Sequence, residues 1–109
     1  MKIRQSFVSN SSSVSFICDT HMSEYDVNCF IQRLLAIHNE LFPDDNVDDS
    51  RFIVFRASKE YSQKMQKDWN HYEDCEGKLV VEGIGDNSIP FELFGIIERK
   101  LLATHIHME

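Results

Sequence analysis

The stretch from Ser23 to Phe42 constrains the fold most strongly, because its apolar residues fall on one side of a helix. The residues on that side recur at spacings of three and four: Val27, Phe30, Ile31, Leu34, Leu35, His38, Leu41 and Phe42. Ser23 followed by Asp26 favours a helix start, and Pro43 favours its end. A helix with a single apolar face must bury that face against another layer of secondary structure.

Short apolar runs elsewhere predict strands. There are four of them: Lys2 to Val8, Val14 to Cys18, Arg51 to Arg56 and Lys78 to Ile84. The third encloses Phe-Ile-Val-Phe without interruption, which is typical of a strand buried on both faces. Between the first two runs, the polar stretch from Ser9 to Ser13 predicts a hydroxyl-rich hairpin turn.

Two further helices are expected. One begins at Ser58 and carries a narrow apolar stripe made of Tyr61, Met65, Trp69 and Tyr72. The last begins at Ser88 with Pro90 in its first turn, and the segment from His105 to His107 closes it. Its inner face is made of Leu93, Phe94, Ile97, Leu101 and Leu102.

This order of elements predicts one α+β domain over residues 1–109. We expect a two-layer sandwich, in which two or three helices cover a small mixed or antiparallel sheet of three to four strands.

Composition and charge narrow the classes of function. The chain has 109 residues, a net charge of −7 and three cysteines at unrelated spacings. An odd set of cysteines does not form a disulfide framework, which indicates a reducing cytoplasm. No secretory signal or membrane-spanning apolar run is visible. The negative charge disfavours nucleic acid, which requires clustered Lys and Arg, and favours a basic protein surface as partner.

The N-terminal residues resemble a known group of proteins. Met1 to Gln5, Phe7 to Ser13 and Ser15 to Ile17 are similar to the start Met-Lys-Ile-Arg-x-Gly-Phe-Val-Ser-Asn, a serine run and Phe. This start belongs to short, mostly uncharacterised proteins of tailed bacteriophages and some bacteria. The chain departs from it at Ser6, where Gly is usual, and at Val14, which interrupts the serines. The resemblance implies a phage or bacterial cytoplasmic setting and no particular chemistry.

The serine turn is a candidate ligand site, because a tight turn presents successive amides and hydroxyls to an anion. Its residues are Ser9, Asn10, Ser11, Ser12 and Ser13. Phosphorylation of these serines is a second interpretation, and a turn without any ligand is a third. The Gly and Lys of a phosphate-binding loop are not present in this stretch.

Polar residues after two strands form another candidate ligand site. Asp19 and His21 follow one strand, and Asp86 and Asn87 follow another. In a parallel sheet these ends would meet at one edge, with His21 as a base and Asp19 as its orienting partner. Helix caps and turns explain the same residues, and the sequence shows neither a nucleophile motif nor a cofactor motif. An enzyme is therefore not favoured.

The acidic loop is the candidate partner-binding surface, through Asp44, Asp45, Asp48 and Asp49. Its alternating Asp and Asn do not predict calcium, because Asp49 and Phe55 stand where a calcium loop needs Gly and Glu. His71, Cys75, His105 and His107 do not predict zinc, because no tight ligand pair anchors them. We expect no metal and no cofactor.

The sequence thus supports a non-enzymatic accessory protein that binds a host or phage protein, in the manner of a host-takeover factor or inhibitor. The sequence leaves open whether the protein forms a homodimer. The alternative is a nucleotide- or nucleic-acid-binding or processing protein, which would use the strand-end residues and the serine turn. The basic, aromatic segment from Lys59 to Tyr72 bears on this alternative, although aromatic residues on one helical stripe are more often core.

Overall fold

The computed structural model describes residues 13–85 and 89–108. The strands are β1 (Ser13–Cys18), β2 (Phe52–Arg56), β3 (Leu79–Ile84) and β4 (Ala103–Met108). The helices are α1 (Glu24–Leu41), α2 (Lys59–Asp68) and α3 (Phe91–Leu101), and two 3-10 turns cover Pro43–Asp45 and Asp49–Arg51. The described part of the chain thus combines α-helices with one small antiparallel sheet, so the predicted α+β class is confirmed.

The four strands form one open sheet with the order β2-β3-β1-β4, and each neighbouring pair is antiparallel. At one end of β1, Ser13 lies opposite both Ile84 and Met108. β3 and β4 therefore flank β1 along its whole length. The predicted first strand and most of the predicted hairpin turn lie outside the described residues.

The last strand, β4, corrects the prediction that the segment from His105 to His107 closes the final helix. Helix α3 ends at Leu101, and Leu102 adopts the left-handed conformation with φ 52° and ψ 48°. The chain then reverses and runs along β1. Buried and more exposed residues alternate in β4, with Ile106 and Met108 facing the interior. That alternation is the period of a strand.

Helices α1 and α3 pack on one face of the sheet and form the main core with it. At its centre, the rings of Phe16 and Phe94 meet edge to face with centroids 5.6 Å apart. The buried members of this core are Val14, Phe16, Cys18, Val27, Ile31, Leu35, Val47, Phe52, Leu79, Val81, Ile89, Leu93, Phe94, Ile97 and Leu101. Both strongly periodic helices thus bury most of the face that the sequence predicts. The exceptions are Leu41, Phe42 and Leu102, which were predicted on these faces and are exposed.

A smaller cluster covers the opposite face of the sheet. It is formed by residues of α2, by residues of the segment after α2, and by strand residues whose side chains point away from the main core. Its buried members are Ile17, Ala57, Met65, Tyr72, Cys75, Val80, Ile106 and Met108, with Phe55, Tyr61 and Trp69 partly buried against them. The aromatic stripe of the second helix is therefore core. The helix ends at Asp68, earlier than its pattern suggests, and Tyr72 reaches the cluster from the following loop.

Gly83 allows the close packing at one end of the main core. A Cβ atom at this position would lie 3.2 Å from side-chain atoms of both Val14 and Ile89, and 3.3 Å from Phe52. These separations are tighter than ordinary van der Waals contact, so a larger residue would push the core apart.

Candidate functional site

A small cavity lies where the C-terminal end of α1 approaches the N-terminal end of α3. Its volume is about 230 Å³, and it is lined by His38, Phe42, Asp45, Pro90 and Glu92. We call it the α1–α3 groove. Sites for drug-sized molecules occupy roughly 300–1,000 Å³. The groove is therefore suited to a single large side chain rather than to a nucleotide or an organic cofactor.

His38 fixes one wall of the groove. It is 8% exposed, and its Nε2 lies 2.9 Å from the carbonyl oxygen of Asp45. Because a carbonyl oxygen only accepts, Nε2 carries the proton and donates it. The Phe42 ring packs on the imidazole with centroids 5.2 Å apart and a tilt of 33°. The last turn of α1 therefore holds the 3-10 turn from Pro43 to Asp45 in place.

Asn39 anchors the rest of the acidic loop. Its side-chain Nδ2 donates to the Val47 carbonyl over 3.0 Å, and its Oδ1 accepts from the Val47 N–H over 2.8 Å. Val47 is 1% exposed and belongs to the main core. The loop is thus pinned at its middle, while all four of its aspartates are exposed: Asp44, Asp45, Asp48 and Asp49. A single valine among acidic residues carries no periodicity, so the sequence analysis missed this anchor.

Three exposed apolar residues, which we call the rim, either line the groove or adjoin a lining residue in the chain. Leu41 is 66% exposed, Phe42 56% and Phe91 73%. Leu41 adjoins the lining residue Phe42 in the chain, and Phe91 lies between the lining residues Pro90 and Glu92. Glu92 and Asp45 place two carboxylates in the same lining. The surface therefore combines large apolar groups with negative charge.

Of the predicted strand-end residues, Asp19 and His21 are described, and Asp86 and Asn87 lie outside the described residues. Asp19 follows β1, where its Oδ1 lies 3.1 Å from Lys78 Nζ, and His21 is exposed nearby in the chain. Because β1 and β3 run antiparallel, the end of β1 at Cys18 lies opposite the start of β3 at Leu79, so the two strands end at opposite edges. The convergence expected for a parallel sheet is therefore not observed.

The serine turn lies mostly outside the described residues, as do two of the strand-end residues. The residues outside are Ser9, Asn10, Ser11, Ser12, Asp86 and Asn87. Ser13 is described and begins β1 opposite Ile84. It lies at the end of the sheet where β3 finishes, far along β1 from Asp19.

The histidines of β4 make local contacts. His105 Nδ1 lies 2.5 Å from Glu98 Oε2, and the His107 ring meets the His105 ring edge to face at 5.1 Å. Within residues 13–85 and 89–108, no group of three or more His, Cys, Asp or Glu side chains is arranged to hold a metal ion. The combination of these histidines with His71 and Cys75 is thus not assembled there.

A chain of hydroxyl groups crosses the second face of the sheet. Ser15 Oγ lies 2.7 Å from Tyr72 Oη, Tyr72 Oη lies 3.2 Å from Tyr61 Oη, and Tyr61 Oη lies 2.5 Å from Glu82 Oε2. Burial raises the pKa of Tyr61 and that of Tyr72 above the ordinary value of 10.0. The tyrosines therefore remain protonated, and this chain connects α2 and its following loop to the sheet.

Comparison with known protein families, curated proteins and solved structures finds no match for this chain. In the part of the chain that the structure describes, no helix is both long and apolar enough to cross a membrane.

Proposed function

We propose that the protein acts by protein–protein interaction, with the α1–α3 groove and its rim as the contact surface. The observation that carries this proposal is the exposure of Phe42, which lines the groove, and of Leu41 and Phe91, which adjoin lining residues in the chain; each is more than half accessible to solvent. Burial of apolar surface contributes about 25 cal/mol per Å². Exposed aromatic residues next to a pocket are also typical of interface centres.

Charge supports a protein partner with a basic surface. The chain has a net charge of −7, and the acidic loop that borders the groove adds four exposed aspartates. Like charges on nucleic acid would be repelled, whereas a basic protein surface would be attracted. The resemblance of the N-terminal residues supports a phage or bacterial cytoplasmic setting, in which a host or phage protein is the partner and the role is that of an accessory factor or inhibitor.

The proposal is tested by comparing what three affinity-tagged proteins capture from bacterial lysate. They are the wild type, the double variant Leu41→Ser/Phe91→Ser, and the control Tyr25→Ser. Tyr25 is 75% exposed and lies in the first turn of α1, at the other end of that helix. All three proteins are first shown to unfold at the same temperature.

We expect one protein to be captured equally by the wild type and by Tyr25→Ser. Its recovery should fall about tenfold or more with the double variant, because interface anchors typically contribute over 1.4 kcal/mol each. The captured partner is then purified, and calorimetric titration with each of the three proteins gives its affinity for each. A set of captured proteins that is the same for all three would show that this surface is not the contact.

A further inference from the structure

We infer that the α1–α3 groove receives one arginine side chain from an otherwise apolar segment of the partner. This inference rests on the proposed function and specifies the chemistry of the segment that the surface recognises. It is carried by the charge, the shape and the surroundings of the groove.

The negative charge of the groove favours a positively charged group as its occupant. Asp45 and Glu92, which each carry a carboxylate, are two of its five described lining residues, and none of the five is Lys or Arg. Asp45 is 64% exposed, and its Oδ2 lies 4.0 Å from His38 Nε2, beyond hydrogen-bond distance. The Nε2 proton is already donated to the Asp45 carbonyl. The carboxylate of Asp45 is therefore available to accept from an incoming donor.

The shape of the groove favours arginine over lysine. Its volume of about 230 Å³ holds one long side chain, and Phe42 presents a half-exposed ring at its wall. A guanidinium is planar, stacks on aromatic rings and donates in more than one direction, so it is suited to two carboxylates beside a ring. An ammonium is a compact, strongly hydrated charge and gains less from the ring.

The rim determines what flanks the arginine. Leu41 and Phe91 are exposed, and each adjoins a lining residue in the chain. Apolar side chains next to the arginine in the partner would cover this surface, and they would also exclude water from the charged contact. Exclusion of water strengthens a charge-assisted hydrogen bond.

The test uses two short peptides that differ only in the head group of the central side chain: acetyl-Leu-Arg-Leu-amide and acetyl-Leu-citrulline-Leu-amide. Citrulline keeps the length and planarity of arginine but is neutral. Each is titrated into ¹⁵N-labelled full-length protein, and chemical shifts of backbone amides are followed by NMR. The protein variants are Asp45→Asn/Glu92→Gln and the matched control Asp68→Asn, which neutralises an exposed carboxylate at the end of α2.

We expect the arginine peptide to shift amides around His38, Asp45 and Glu92 in a saturable way. The citrulline peptide should bind about tenfold more weakly, which corresponds to the loss of one charge-assisted contact. The double variant should bind the arginine peptide about tenfold more weakly too, while Asp68→Asn should bind it like the wild type.

Equal binding of both peptides, or saturable shifts elsewhere on the protein, would overturn the inference. Shifts that do not saturate would overturn it as well. If capture of a protein partner still depends on Leu41 and Phe91 in that case, the proposed function stands and only the arginine anchor is wrong. If the peptide binds as expected but the proteins captured from lysate do not depend on Leu41 and Phe91, the groove binds arginine and the proposed function is wrong.

Discussion

Glu82 determines the direction of each proton in the hydroxyl chain that ends at Ser15. An ionised carboxylate only accepts, so the Tyr61 hydroxyl must donate to it. Tyr61 has then used its one proton and accepts from Tyr72, and Tyr72 in turn accepts from Ser15. Ser15 is 0% exposed and Tyr72 4%, so neither hydroxyl is able to turn to solvent instead.

This direction predicts unequal effects of two substitutions. Tyr72→Phe removes the acceptor of the buried Ser15 hydroxyl and the donor to Tyr61, and should lower the free energy of unfolding by about 2 kcal/mol. Ser15→Ala leaves the Tyr72 proton in place, and should cost only about 1 kcal/mol. Urea denaturation of both variants measures the difference, and equal losses would contradict the assigned direction.

The three cysteines differ in burial, which predicts their reactivity. Cys18 and Cys75 are buried, and burial raises the pKa of Cys18 from its ordinary value of 9.0 to about 12. Burial also raises the pKa of Cys75. Cys29 is only partly buried. Because the thiolate is the nucleophile, a buried neutral thiol reacts slowly.

We expect one thiol per native molecule to react with N-ethylmaleimide at pH 8, and three in urea. Mass spectrometry counts the adducts, and peptide mapping should place the native one on Cys29. Cys29→Ser is the control and should abolish labelling of the native protein. Labelling of Cys18 under native conditions would show that the main core opens readily.

Among the elements, the turn between α3 and β4 depends on a residue that is poorly suited to its conformation. Leu102 adopts φ 52°, a region that costs a side-chain-bearing residue about 1 kcal/mol or more. It is also 62% exposed, so its side chain contributes little packing. Glycine is the usual residue at such a helix end, since it has no Cβ.

Leu102→Gly should therefore raise the free energy of unfolding by about 0.5–1 kcal/mol, which thermal and urea denaturation both measure. Leu102→Ala is the matched control, because it removes the same exposed side chain but keeps the unfavourable conformation. The alanine variant should be no more stable than the wild type. A gain in both variants would assign the effect to the exposed leucine rather than to the backbone.

Elements with repeated patterns were predictable from the sequence, and elements determined by one residue were not. The spacing in α1 and the apolar run in β2 each repeat a signal over several positions, and both elements form where expected. The prediction that β2 is buried on both faces is wrong, because β2 is an edge strand and its Ile53 is 46% exposed. The left-handed Leu102 that ends α3 is a single conformational event, so β4 was missed. The acidic loop was predictable as exposed, but its contact with His38 depends on a tertiary arrangement.

The groove could not be predicted from the sequence, because it too depends on a tertiary arrangement. His38 falls on the apolar stripe of α1, and Glu92 belongs to a helix more than 50 positions later. Only the packing of α1 and α3 on one face of the sheet brings them to one cavity. Local sequence patterns do not specify which residues from distant helices line the same cavity.

At the scale of the whole molecule, buried groups with raised pKa values make the fold sensitive to alkaline pH. The groups are Cys18, Cys75, Tyr61 and Tyr72. In the unfolded chain each thiol loses its proton near pH 9.0 and the phenols near 10.0, while the folded protein still holds these protons. The unfolded state then binds fewer protons than the folded state, so stability falls as pH rises.

The free energy of unfolding should be level from pH 7 to 8.5 and fall above pH 9. Each group adds a slope of roughly 1.4 kcal/mol per pH unit once its unfolded form is ionised. Urea denaturation across this range measures the slope. Cys18→Ala should show a smaller slope between pH 9 and 10 than the wild type, whatever its stability at pH 7. Identical slopes would mean that the Cys18 thiol does not contribute.

The position of β1 determines when the chain is able to fold during its synthesis. β1 is the first described strand, but its two neighbours are β3 and β4, so its hydrogen bonds join residue 13 to residues 84 and 108. Until those strands leave the ribosome, Val14, Phe16 and Ile17 have no sheet to enter. Contacts so distant in sequence form late and slowly. A nascent chain would therefore expose its most fully buried strand until β3 and β4 have been synthesised, which gives chaperones that bind such segments time to meet it.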